Sequence, residues 1–416
     1  MNAPLPLDGI KVVEFSHMIM GPSCGLLLGD MGADVIKVEP LGEGDNTRRL
    51  PGSGAGFFPV FNRNKRSLAL DLKSPDGLAF AHRLIRSADV VTENFRPGAL
   101  DAMGLGYQAL KQENPALIYC SLKGFLAGPY ENRPALDEVV QMMGGLAYMT
   151  GLPGRPMRAG ASVNDIMGGM FAAMGILAAL LQRGRTGVGQ LVKSALFENN
   201  AFLMATHMAQ FAVTGKPAAP MPTRIASWAV YDVFETRDSQ VFIGVVSDTQ
   251  WRSFCEAFNQ PGLRADPGLV TNTQRVAARD RFLPVLRTLF KEMTRAEVMA
   301  TCERAGLPFA PVSRPEDLLV DPHLACPGAM VEVTLPDGRS MPVPALPLEM
   351  DGRRFGRRRD VPHVGEHSAA IAAELGYTPA EIADLAARGV LGIDPHPRQD
   401  PEIAECAPAA LRRLSA

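Results

Sequence analysis

Between Ile10 and Phe125 the chain alternates short runs of β-branched residues with glycine-punctuated helical stretches, and this alternation restricts its fold more than any other feature. IKVVEFS leads through GPSCGLLLGDMGA into DVIKVEP; SLALDL, a helical stretch from Pro75 to about Ser87, DVVTENF and LIYCSLKGF follow. Units of this kind predict an α/β fold built on a Rossmann-like, doubly wound parallel sheet. Such sheets bind ligands beyond the carboxyl ends of their strands, which makes residues 17–22, 39–45, 94–98 and 123–128 the candidate binding edge.

A chain of 416 residues exceeds what one core usefully fills, so a second domain is expected. The proline-rich KPAAPMPT reads as a linker. Beyond it VYDVFET and VFIGVV flank the turn Arg237-Asp238-Ser239, and helical patterning runs to about Gly306. The expected division is a large domain over 1–215, a smaller α/β domain over 216–335, and a segment over 336–416 returning to the large domain. Thr378-Pro379-Ala380-Glu381 has the order of a helix capping box. The uncharged stretch 166–182 is shorter than the ~20 apolar residues that cross a bilayer and reads as a buried helix. Gly168, Ala172, Gly175 and Ala179 form a small-residue stripe on one face of it, open to close approach of another backbone. DGRRFGRRRD, at 351–360, reads as an exposed charged loop.

With 42 basic and 44 acidic residues the formal charge is only -2, which provides no global field for nucleic acid or an anionic membrane. Six scattered cysteines without a C-x-x-C pair argue against zinc and against a disulfide framework. The N-terminus lacks the features of a secretory signal, and the expectation is a cytoplasmic protein. P-loop, H-E-x-x-H, G-x-S-x-G and G-x-G-x-x-G motifs are all missing. Asp165, in RAGASVNDIMGGM, opens an apolar helix, where by itself aspartate reads first as a structural cap and second as a reactive carboxylate.

The ordered blocks PLDGIKVVEFSHMIMGPSCGLLLGDMGADVIKVEPLGEGDNTR, NRNKRSLALDLKSPDG, ENFRPGALDAMGLGY, ASVNDIMGGM, RGRTGVGQ and VGEHSAAIAAELGY together resemble the class III CoA-transferases, the family of formyl-CoA, carnitine and succinyl-CoA transferases and acyl-CoA racemases. The resemblance implies a two-domain subunit in an interlocked homodimer, acyl-CoA and carboxylic acid as substrates, and no tightly bound cofactor or metal. It makes Asp165 the nucleophile, and the Gly168-Gly169 backbone one possible source of oxyanion donors. It further implies coenzyme A contacts at His17, Ile19, Met20, Leu70 through Lys73, Asn94, Phe95, Arg96 and around Asp137. Pro40, Ala102 and Pro134 stand where formyl-CoA transferase has basic residues, and Ile19 replaces its active-site glutamine; Lys37, Lys73 and Arg96 are therefore the expected phosphate cations.

Two rival readings are an acyl-CoA racemase and a non-catalytic nucleotide- or CoA-binding protein. The racemases of the family pair a histidine with an aspartate where this chain has Leu136-Asp137, which removes the natural proton shuttle. The missing dinucleotide fingerprint counts against the second rival. MPTRIASWAVYD lacks the glycines of a formyl-CoA transferase's closing loop, so the expectation is succinyl-CoA as donor and a short dicarboxylic acceptor, with Arg158 or Arg224 meeting its distal carboxylate.

Overall fold

A computed structural model describes residues 4–224 and 227–395. The chain divides into two compact units, one comprising residues up to Pro217 together with those from Ala325 onward, the other Ala218–Leu324.

In the large unit the strands β1 (Lys11–Phe15), β2 (Asp34–Glu39), β3 (Lys65–Leu70), β4 (Val90–Glu93), β5 (Ile118–Lys123) and β6 (Leu191–Ala195) lie parallel in the order 3-2-1-4-5-6. The short strand Leu391–Gly392 pairs antiparallel with Leu70 and Ala69 as a seventh member, bringing the C-terminal segment onto this edge. Both faces of the sheet are covered, so its strands bury apolar side chains on both sides, and charged residues among them, Glu14, Lys37, Glu39, Lys65 and Glu93, are buried as well. Val13, Phe15, Ile36 and Leu68 face one core with Phe80 and Leu84 of helix α2 (Pro75–Arg86). Val12, Val35, Val90 and Ile118 face the other, against Cys24 and Leu28 of α1 (Met20–Asp30) and Ile176 of the helix Val163–Thr186. The strand order reverses between β1 and β4, with β2 and β3 added on one side and β5 and β6 on the other, and it is at such a switch point, beyond the strand ends, that sheets of this kind hold ligands.

The smaller unit folds around a three-stranded antiparallel sheet of Val230–Glu235, Gln240–Val245 and Phe309–Pro311. Its core is aromatic: Phe234, Trp251, Phe254, Phe258, Phe282 and Phe290 stack, tilt or meet edge to face with ring centroids 5.0–5.8 Å apart, within the spacing such rings prefer. The hairpin between its first two strands turns at 236–239, which includes the expected Arg237-Asp238-Ser239, with the Thr236 hydroxyl accepting from the Ser239 N–H at 3.1 Å.

Three expectations need correction. The division falls at Leu324 rather than 335, because the hairpin Met330–Thr334 with Ser340–Pro344 joins a cluster with Phe58 and Val361 of the large unit. The stretch 351–360 is no free loop: the Arg358 guanidinium donates to the carbonyls of Gly29 and Ala33, and its N–H to Asn64. The helix Val163–Thr186, long and apolar enough by composition to span a membrane, buries only one face; Met170, Met174 and Leu181 are exposed. Its small-residue stripe is consumed inside the subunit. A side chain at Gly168 or Gly169 would meet Met20 or Ser23 of α1 within 2.3 Å, and one at Gly175 would meet Val192 of β6.

Candidate active site at the strand ends

The turn leaving β1 is held from two sides. Lys37, wholly buried, donates to the Ser16 carbonyl at 2.7 Å and pairs with Asp45 at 2.9 Å and, more distantly, Glu14. Burial opposes its charge, but Glu14, Asp45 and Glu39 outweigh that opposition and hold the ammonium pKa above its ordinary value. Asn94 clamps His17 from the other side, accepting from its N–H at 3.0 Å and donating to its carbonyl at 2.8 Å. Met18 follows with φ 63°, a left-handed conformation that a side chain adopts at a cost, and α1 starts at Met20 without a side-chain cap. Gly21 permits the tight turn, since a Cβ there would lie 2.4 Å from that of Ser16. The His17 imidazole lies 5.7 Å from the Phe95 ring; burial, more than the opposing pull of Asp45, lowers its pKa.

A second network fixes the turn after β4. Glu93 accepts from Ser121, from Lys123 at 2.7 Å and from the Phe95 N–H at 3.0 Å, while Lys123 also donates to the Phe95 carbonyl at 2.6 Å. Neither Glu93 nor Lys123 stands out in the sequence, because what marks them is a partner many residues away.

Asp165 sits in the first turn of α4, the helix Val163–Thr186, next to α3, the helix Asp137–Met143. The α4 cap comes from α3: Asp137 Oδ1 accepts from the N–H of Asn164 at 2.8 Å and of Asp165 at 3.3 Å. The other Asp137 oxygen takes a hydrogen bond from Gln141, whose own oxygen accepts from the Ala159 N–H. Among the described residues the Asp165 carboxylate has no hydrogen-bond or ion-pair partner. Burial, then the charges of Asp137 and Glu138, push its pKa up to about 7, with Arg158 pulling the other way. Around this junction Asn164, Asn199 and Asn200 are buried with amide atoms that lack partners, a feature no sequence signal announces.

Each expected site residue can now be placed. His17, Phe95 and the exposed cations Lys73 and Arg96 lie at or beside the strand ends. Lys37 is corrected as a phosphate cation, because its ammonium is buried and already paired. Met20 and Leu70 turn their side chains into the cores, and Ile19 is buried as well. The Asn94 amide is spent on His17, and Asp137 is a helix cap rather than a free contact. Gly168 and Gly169 lie buried in α4 beyond its first four residues, where backbone N–H groups are taken by the helix itself, and this corrects them as oxyanion donors. Arg158 pairs with Glu138 beside Asp165, whereas Arg224 is exposed and belongs to the smaller unit.

Comparison with known proteins gives this geometry a family. The model of CoA-transferase family III matches residues 7–368. A succinate–glutarate CoA-transferase of Agrobacterium fabrum is 34% identical over 386 residues, covering 90% of this chain and 96% of its own. A formyl-CoA:oxalate CoA-transferase of Rhodopseudomonas palustris is 32% identical, covering 91% and 96%. The crystal structure of a CAIB/BAIF family protein from Brucella suis superposes with a TM-score of 0.80 at 34% identity, over 90% of this chain and 100% of that one. The chain belongs to CoA-transferase family III.

Proposed function

We propose that this CoA-transferase carries CoA from succinyl-CoA to a short dicarboxylic acid by way of Asp165. One observation carries the assignment of the nucleophile: the helix N–H groups that would make Asp165 a structural cap are taken by Asp137, leaving its own carboxylate unbonded. A carboxylate kept from hydrogen bonds and from full hydration is the more reactive toward a thioester carbonyl. Asp165 attacks that carbonyl, the C–S bond breaks, and a mixed anhydride and CoA thiolate result. The thiolate attacks the aspartyl carbonyl, releasing the donor acid and forming an aspartyl-CoA thioester. The acceptor carboxylate repeats these two steps in reverse, leaving as its CoA ester and restoring Asp165.

The dicarboxylic preference rests on Arg158 beside Asp165, on the glycine-free segment 221–232, and on the substrates named for the Agrobacterium fabrum relative. Succinyl-CoA alone, followed by hydroxylamine trapping and peptide mapping, is expected to modify only the peptide carrying Asp165. Modification elsewhere, or CoA exchange persisting in Asp165→Ala, overturns the assignment.

The active assembly in this proposal is a homodimer. The helices Leu196–Leu203 and Ala205–Thr214, with the outer face of α4, leave Met170, Met174, Phe202, Met208 and Phe211 in solvent, and the second of these helices buries no residue. Apolar exposure on this scale marks an interaction surface. Sedimentation is expected to give twice the 44.7 kDa of the chain, and a monomer active at assay concentration would contradict it.

A further inference from the structure

The first turn of α3 carries two acidic side chains with different tasks. Asp137 anchors the turn on the start of α4, touching the backbone of the nucleophile itself. Glu138, the next residue, points to Arg158 and forms an ion pair with its guanidinium. Arg158 is steadied by a 3.1 Å bond from its Nε to the Ala159 carbonyl. The Ala159 N–H in turn donates at 2.8 Å to Gln141, which bonds Asp137. Residues 137, 138, 141, 158 and 159 thus form a closed ring at the α4 start.

Unlike the ionic networks under the strand ends, this pair is open to solvent, with 38% of the Arg158 and 48% of the Glu138 side chain exposed. Such a pair contributes little to folding and exchanges easily. A guanidinium fork accepts one carboxylate as readily as another, so what Glu138 occupies is a carboxylate site within electrostatic reach of Asp165.

We propose that Glu138 is a built-in stand-in for the second carboxylate of a dicarboxylic substrate, holding Arg158 in position until that carboxylate displaces it. Glu138 thereby determines specificity through Arg158: a dicarboxylic acid gives the guanidinium one carboxylate in place of another and releases Glu138 to solvent, while a monocarboxylic acid leaves the pair closed. The inference rests on the reading of this enzyme as a transferase acting on dicarboxylic acids.

Butyrate against succinate, and valerate against glutarate, are acceptor pairs that differ in the distal carboxylate. In Glu138→Gln the preference for the dicarboxylic member, measured as the ratio of kcat/KM, should rise about three- to fivefold through KM, the range open to an exposed ion pair. In Arg158→Gln it should fall about tenfold, as for loss of a hydrogen bond to a charged group. Glu138→Gln added to Arg158→Gln should change nothing further, which a purely structural role for Glu138 would not produce. An unmoved ratio in Glu138→Gln, or a shift of equal size without Arg158, overturns the inference. Trapping on Asp165 separates the two claims: an unlabelled native enzyme sinks the transfer mechanism, whereas labelled variants with unmoved ratios sink only the role of Glu138.

Discussion

The two units bury different things. Beneath the strand ends of the large unit lie Glu14, Lys37, Glu39, Asp45, Lys65 and Glu93, charges almost wholly removed from water. In the smaller unit Arg275 is the charged residue similarly buried among the described residues, and the core is otherwise rings and aliphatic chains. Aromatic packing fixes volume, whereas paired charges fix orientation, since each hydrogen bond demands its own direction. The large unit uses its charges to aim the turns at 16–18 and 94–96, and it is there that the chain needs directional control.

The contrast is sharpest in substitutions that keep shape. Leu286→Met in the smaller unit nearly conserves packing volume and should cost less than about 1.5 kcal/mol. Glu14→Gln is closer still in shape, yet it leaves Lys65, 2.9 Å from that carboxylate, with its main countercharge gone, and should cost about 3–5 kcal/mol. Urea unfolding of each variant checks both values. If Glu14→Gln proves as mild as Leu286→Met, the buried charges do not orient the large unit as described.

The same contrast explains what the sequence discloses. Val35 to Val38 and Val90 to Thr92 are readable as strands because burial on both faces demands β-branched runs. The capping box at Thr378 is readable because both partners lie within four residues, and the structure shows both of its bonds. Lys37 and Asp137 were visible as residues but not in their roles. The Ser16 carbonyl lies 21 positions from Lys37, and the Asn164 N–H lies 27 from Asp137, so only the folded chain brings the groups together. The exposed face of α4 escaped for a related reason: an apolar helix looks the same in sequence whether its second face meets its own chain or another surface.

A smaller effect separates the units by pH. In the smaller unit the shifted carboxylates, Asp238, Asp248, Asp266, Glu297 and Asp317, all lie below their ordinary values, through hydrogen bonds from backbone N–H groups and arginines. Their stabilisation is present at neutral pH and is lost as pH falls through those lowered values. Asp165 has the opposite sign. Its folded pKa of about 7 exceeds the ordinary 3.8, so the folded chain binds this proton more tightly and loses stability as pH rises between the two. The ionised form is the nucleophile, and kcat/KM should therefore rise through a limb near pH 7. Asp137→Asn keeps an oxygen for the Asn164 N–H but removes the charge, and should move that limb about one pH unit toward acid. A limb that stays in place would assign the elevation to burial and to Glu138 and leave Asp137 only its capping bonds.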